Sequence, residues 1–185
     1  AALSIKEPAE IGKNHGVYRV DSEGNVGGFL HKKTVEQLQK LGASDDQGNV
    51  DIDTGAVIFN SEMLQALYQL VDTKEKFAAY VNESTRLSFY ADFLYPLASD
   101  STLEQYYKET PEGDFTPELE QCRTELWSVL HPYQMKLIRM SPAAFIHFGT
   151  TKELRELMTE RMDEFYYLGW TSNINTNREE ADFAA

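Results

Sequence analysis

At 185 residues, with 42% hydrophobic, 12% aromatic and 25% charged residues, the chain has the composition of one folded domain with a sizeable core, which excludes a disordered or fibrous class. Its formal charge of −13 argues against duplex nucleic acid as a partner, because neutralising phosphates needs a basic surface. No apolar run approaches the roughly 20 residues that cross a bilayer, and the start AALSIKEPAEIG lacks the basic flank and apolar core of a secretory signal, so no membrane partner and a cytoplasmic location are expected.

In chain order, HGVYRVD and NVGGFLH bracket the turn SEGN, and their β-branched and aromatic residues predict a hairpin over about residues 16–30. Thr34 with Gln37 three residues on, then Val35, Leu38 and Leu41 before Gly42, predicts a short capped helix. The run NVDIDTGAVIFN predicts a strand with an irregular point at Gly55, feeding a helix in which Leu64, Leu67, Tyr68 and Val71 share one face.

From Phe77 to Tyr107 the pattern is mostly helical, broken near Pro96 and restarted by Ser101 with Glu104 in capping register. ETPEGDFTPE is a loop, and Thr116-Pro117-Glu118 opens a helix whose buried stripe is Leu119, Cys122, Leu126 and Val129. YQMKLIRM and AAFIH predict two further strands, and Thr150 with Glu153 opens a last helix carrying Leu154, Leu157, Met158, Met162 and Phe165. Residues 171–185 form a polar tail. The fold class expected is α/β, a mixed sheet with flanking helices.

Four stretches carry chemical content. FLHKK places Lys32 and Lys33 between a strand end and a helix start, a candidate anion site or a solvated basic turn. Residues 1–42 hold six Lys/Arg against five Asp/Glu, and residues 43–185 hold eleven against twenty-five, so a phosphate-facing surface should involve the first quarter. DIDTGAVIFN sets Asp51 and Asp53 on one strand face with Gly55 beside them, a pattern common on a wet strand edge that can also hold a ligand or divalent cation. In RLSFYADFLYPL, Asp92 lies among apolar residues and needs a donor, for which Arg86 is one candidate. His147 stands where a strand would turn into the last helix, as a site residue or a core histidine. The sole cysteine, Cys122, reads as a buried thiol, and no Gly-rich phosphate loop is present.

Taken in order, HGVYRVD, GFLHKKTVEQLQKLGA, DIDTGAVIFN, SFYADFLYPLA and FIHFGTTKELRELM resemble the GDP-fucose pyrophosphorylase (fucose-1-phosphate guanylyltransferase) family, which includes bifunctional enzymes joined to a fucokinase. The resemblance runs from about His15 to Leu157. It implies a partial sugar-nucleotidyltransferase (Rossmann-like) domain, residues 1–185 forming the later, sugar-phosphate side, with the nucleotide-binding N-terminal half absent and the fragment inactive alone. It further implies fucose 1-phosphate and GTP as substrates, Mg²⁺ as cofactor, and an exposed apolar surface where the other half packs or a homodimer forms.

Residue by residue, Lys32 matches a strand-end lysine that faces the sugar 1-phosphate, with Lys33 where the family has proline. Asp53, Thr54 and Gly55 fall on a strand lining the sugar pocket. FYADF resembles the family's Tyr-Gly-Asp-Phe, with Ala91 for Gly, and makes Asp92 the second catalytic candidate. HFGTT fits the fucose pattern, making His147, Gly149 and Thr150 pocket residues rather than Mg²⁺ ligands, since Mg²⁺ prefers oxygen. The alternative expectation is a non-catalytic module that binds a sugar phosphate or a partner.

Overall fold

Residues 2–57 build a sheet before any long helix appears. The computed structural model describes residues 1–170. Its strands are β1 (Ala2–Pro8), β2 (Gly16–Val20), β3 (Val26–His31), β4 (Asn49–Val57) and β5 (Leu137–Arg139), in the spatial order β3-β2-β4-β1-β5. Neighbours run antiparallel except β1 and β5, which are parallel, so the sheet is mixed and the class is α/β as expected. The β2–β3 turn is held by Asp21, whose carboxylate accepts the backbone N–H of Glu23 and of Asn25 at 2.8 and 2.9 Å.

Short helices α1 (Ala9–Gly12) and α2 (Val35–Lys40) interrupt the strands. α2 has the capping box its sequence announces: Thr34 accepts from Gln37 N–H while the Gln37 side chain accepts from Thr34 N–H. Helices α3 (Ser61–Gln69), α4 (Lys74–Tyr80), α5 (Leu103–Lys108) and α6 (Pro117–Leu130) follow. The main core joins Tyr18, Val26 and Phe29 of the sheet to Met63, Tyr80, Leu94, Leu97, Leu126 and Leu130. Full burial of each such leucine contributes about 1.5–3 kcal/mol. Thr116 caps α6 through Leu119 N–H, and Cys122 is buried as expected, its thiol pushed up to about 11 by desolvation.

Several elements depart from the sequence pattern. The α3 face carrying Leu64 and Tyr68 is exposed and lines an open apolar groove of about 560 Å³ together with Leu67, Val71, Val81 and Phe93. Residues 77–107 are not one broken helix: after α4 come a single π-helical turn, Phe89–Leu94, and a 3₁₀ turn, Tyr95–Leu97. α5 is capped by Thr102 through Gln105 N–H rather than by Ser101. In YQMKLIRM only β5 is strand, and AAFIH has no strand at all. β5 lies beside β1 and is itself the sheet edge, which AAFIH does not extend.

The chain divides into two compact units, Ala1–Ala144 and Phe145–Ala185. In the second, α7 (Thr151–Thr159) begins with the Thr150/Glu153 capping box and buries Leu157. It stops at Thr159, so Met162 and Phe165 belong to a separate 3₁₀ segment, Met162–Leu168. The polar tail at 171–185 lies outside the described residues. Among the described residues no helix is long and apolar enough to cross a membrane.

Candidate functional site

Cross-strand pairing sets which side chains share a face, because directly opposed residues point the same way. Tyr18 is opposite Phe29 on β3 and Asp51 on β4, and Gly16 is opposite His31. Ser4 is opposite both Asp53 and Arg139, and Lys6 is opposite Asp51. One face of the sheet therefore carries Phe29, His31, Tyr18, Asp51, Asp53, Ser4, Lys6 and Arg139. Gly16 makes this row possible: a Cβ there would lie 2.6 Å from the Phe29 ring and 3.2 Å from Asp53 Cβ.

Asp53 is 5% exposed. Its Oδ1 accepts the Tyr18 hydroxyl at 2.7 Å and the Gly55 N–H at 2.9 Å, while Oδ2 is buried without a hydrogen-bond partner. Burial raises the Asp53 carboxyl above its ordinary 3.8, and the two donors on Oδ1 only partly oppose that. Burial, and then the Asp53 charge, raise the Tyr18 phenol. Gly55, at φ +75°, supplies the left-handed backbone that brings its N–H back onto Asp53.

Beside Asp53 stand three near-parallel rings. Phe29 and His31 are 6.4 Å apart, Phe29 and Tyr90 6.4 Å, and His31 and Tyr90 5.8 Å between centroids. Burial, followed by the Lys32 ammonium, holds the His31 imidazole below its ordinary 6.5. The next residue, Lys32, takes a positive φ of 49°, unfavourable for a residue with a Cβ. Lys32 and Lys33, which have no carboxylate partner among the described residues, line a surface pocket of about 380 Å³ with Lys13, Asn14, Thr34 and Glu36. Asp53 and Gly55 are on β4, separated from β3 by β2, and α1, which lines the lysine pocket, packs through Gly12 on Val17 and Val50 of the opposite sheet face.

Other expected residues sit elsewhere. Thr54 donates its hydroxyl to the Leu3 carbonyl at 2.9 Å, a bond between strands. Asp51 shares the face with Asp53 but is held bidentately by Arg139 at 2.7 and 2.9 Å. Asp92 is fully buried: Oδ1 accepts from Arg123 Nε at 2.7 Å and Oδ2 from Ser88 N–H at 2.6 Å. Its partner is Arg123 rather than Arg86, and it presents no surface to a ligand in this conformation. His147, Gly149 and Thr150 are exposed residues of the second unit, with no strand before them.

Tyr18, His31 and Tyr90 escape a residue-type search. His31 was legible from its alternation with Phe29, and Tyr18 from its place across the hairpin. Tyr90 was not legible, because the π turn that orients it has no distinct sequence pattern. Among the described residues no group of three or more His, Cys, Asp or Glu side chains could hold a metal ion. With Asp51 and Asp92 committed to arginines, these residues do not fit a Mg²⁺ held by this chain.

A family model, the fucose pyrophosphorylase domain, matches residues 1–183. No curated protein and no solved structure matches.

Proposed function

Because the chain belongs to the fucose pyrophosphorylase domain family, and so to transferases of fucose metabolism, we propose that it holds the sugar phosphate in a guanylyltransferase making GDP-fucose. In this reading a fucose 1-phosphate oxygen attacks the α-phosphorus of GTP. The bond from that phosphorus to the bridging oxygen breaks, and pyrophosphate leaves. The attacking phosphate is already ionised, so the step calls for alignment and charge neutralisation more than for a base.

Beside the family match, two observations carry the reading: Lys32 and Lys33 line one surface pocket, and Asp53, two strands from β3 in the sheet order, keeps a buried carboxylate oxygen without a hydrogen bond. Lys32 and Lys33 take the phosphate, and Asp53 orients a sugar hydroxyl. Gly55 keeps the backbone bare beside Asp53, and Thr54 fixes the strand. Asp92 acts through Arg123, bracing the segment that carries Tyr90. His147, Gly149 and Thr150 keep the substrate-binding role that the family resemblance gives them. No step assigned to this chain runs through Mg²⁺.

Calorimetric titration tests this with fucose 1-phosphate, with Mg²⁺-GTP, and with the Lys32→Ala variant. Saturable binding of the sugar phosphate, at least about tenfold weaker in the variant, is the expected result. Equal binding by the variant, or none by the natural chain, overturns the assignment of Lys32. Turnover restored by adding a nucleotide-binding segment in trans separates the transferase from a module that only binds.

A further inference from the structure

The family match names a sugar but no residue that reads it. Asp53 supplies the first clue. Tyr18 and Gly55 both bond Oδ1, which fixes the carboxylate's rotation and leaves Oδ2 with its lone pairs unused inside the protein. Native folds pair nearly all such atoms, so each exception calls for an explanation, of which a bound ligand, ion or water is one; Asn25 Oδ1 and Arg123 Nη2 are the others among the described residues.

The second clue is independent of the first. His31 and Tyr90 lie 5.8 Å apart with ring planes 11° from parallel, and the Tyr90 hydroxyl lies near Gly55, whose N–H Asp53 accepts. Tyr90 is 38% exposed and rides on a single π-helical turn, a feature often found at functional sites. A pyranose has one face of C–H groups and an edge of hydroxyls, so a ring wall beside a lone acceptor is matched to it. Gly55 lies beside Tyr90, and it is the positive φ of 75° rather than crowding that favours glycine there, since a Cβ would make only ordinary contact at 3.7 Å with the Tyr90 hydroxyl.

We propose that Asp53, His31 and Tyr90 form a monosaccharide subsite in which Asp53 Oδ2 accepts one sugar hydroxyl and the two rings hold the apolar face of the pyranose. Oδ2 is sealed at rest, so a neighbouring side chain has to move for the sugar to reach it. Lys32, which lines the lysine pocket, directly follows His31 in the chain. The subsite rests on the fucose 1-phosphate reading above and adds which residues discriminate among sugars.

The experiment reverses the polarity at Oδ2. The 185-residue chain is titrated with methyl α-L-fucoside, with its three monodeoxyfluoro analogues and with fucose 1-phosphate, and the ring NMR signals of His31 and Tyr90 are followed. A fluorine accepts but cannot donate, so one analogue should bind on the order of tenfold more weakly than the parent fucoside. Asp53→Asn keeps an oxygen for Tyr18 and Gly55 and puts an N–H donor at the other position, so it should bring that same analogue back toward the parent. A merely structural Asp53 would not produce this exchange.

Ring signals unmoved by every sugar, or the same fluorine penalty in Asp53→Asn, overturn the subsite. Tyr90→Ala serves as a second variant and should weaken all the sugars by a similar factor. If the fucoside pattern holds while the phosphate adds no affinity, the subsite stands and the Lys32 assignment fails.

Discussion

Two buried carboxylates, Asp53 in the sheet and Asp92 under α6, show how the same side chain can brace a fold or remain available to a ligand. Desolvation raises both, yet the answering groups differ. Asp92 meets a guanidinium that is itself fully buried, and Arg123 Nη1 goes on to donate to the carbonyls of Tyr106 and Glu109 at 3.1 and 3.0 Å. The Arg123 guanidinium also lies over the Tyr106 and Phe115 rings, at 5.2 and 5.5 Å. Asp53 meets only a phenol and one amide, both on the same oxygen. A full opposite charge satisfies the first carboxylate, whereas neutral donors leave the second with capacity to spare.

The comparison breaks most visibly at Arg123. Replacing it with Met strands the Asp92 carboxylate in the interior, and removing one partner of a buried pair costs about 3–5 kcal/mol. Urea unfolding should record that loss for Arg123→Met and recover most of it when Asp92→Leu is added. A single variant as stable as the natural chain would show that the pair braces nothing.

A smaller effect sharpens the contrast through pH. An acid whose folded pKa is raised favours the fold most below its ordinary 3.8, and that contribution is lost as pH rises through the raised value. Melting temperatures of Asp53→Asn and the natural chain should therefore draw apart, to the variant's advantage, as pH rises from about 4 toward neutrality. His31 runs the other way. Its lowered pKa gives stability that is complete above 6.5 and lost as pH falls through the lowered value, so His31→Gln should flatten only that rise. A constant gap between Asp53→Asn and the natural chain across this range would mean that Asp53 is not strained by burial.

The contrast also shows what the sequence could reveal. The hairpin, the caps at Thr34, Thr116 and Thr150, and the irregular point at Gly55 were legible, because each is fixed by residues within a few positions of one another. Asp51 and Asp53 were legible as same-face residues from alternation alone. Their different fates were not, because Arg139 reaches Asp51 across 88 positions and Tyr18 reaches Asp53 across 35. Asp92 needed a partner by its setting, but Arg123 sits in the buried stripe of a helix whose pattern promised only apolar residues there. The strand expected before His147 did not form although β3 and β5 both end the sheet, so the β-propensity of the run did not by itself decide its pairing.

The smallest effect concerns the backbone at Lys32, which joins the sheet face to the anion pocket. A positive φ at a lysine is unfavourable, and such strain tends to persist where a function depends on the side chain's direction. Lys32→Gly should therefore remove the ammonium and relax the turn together, leaving the protein equally stable or more stable by up to about 1 kcal/mol. Lys32→Ala keeps the strain, so it should lose the same phosphate affinity without the gain. Thermal unfolding beside phosphate titration of the two variants reads both quantities. A glycine variant less stable than the alanine one would mean that the left-handed turn costs nothing at this position, and the strain could then no longer be counted as a sign that Lys32 is held in place for an anion.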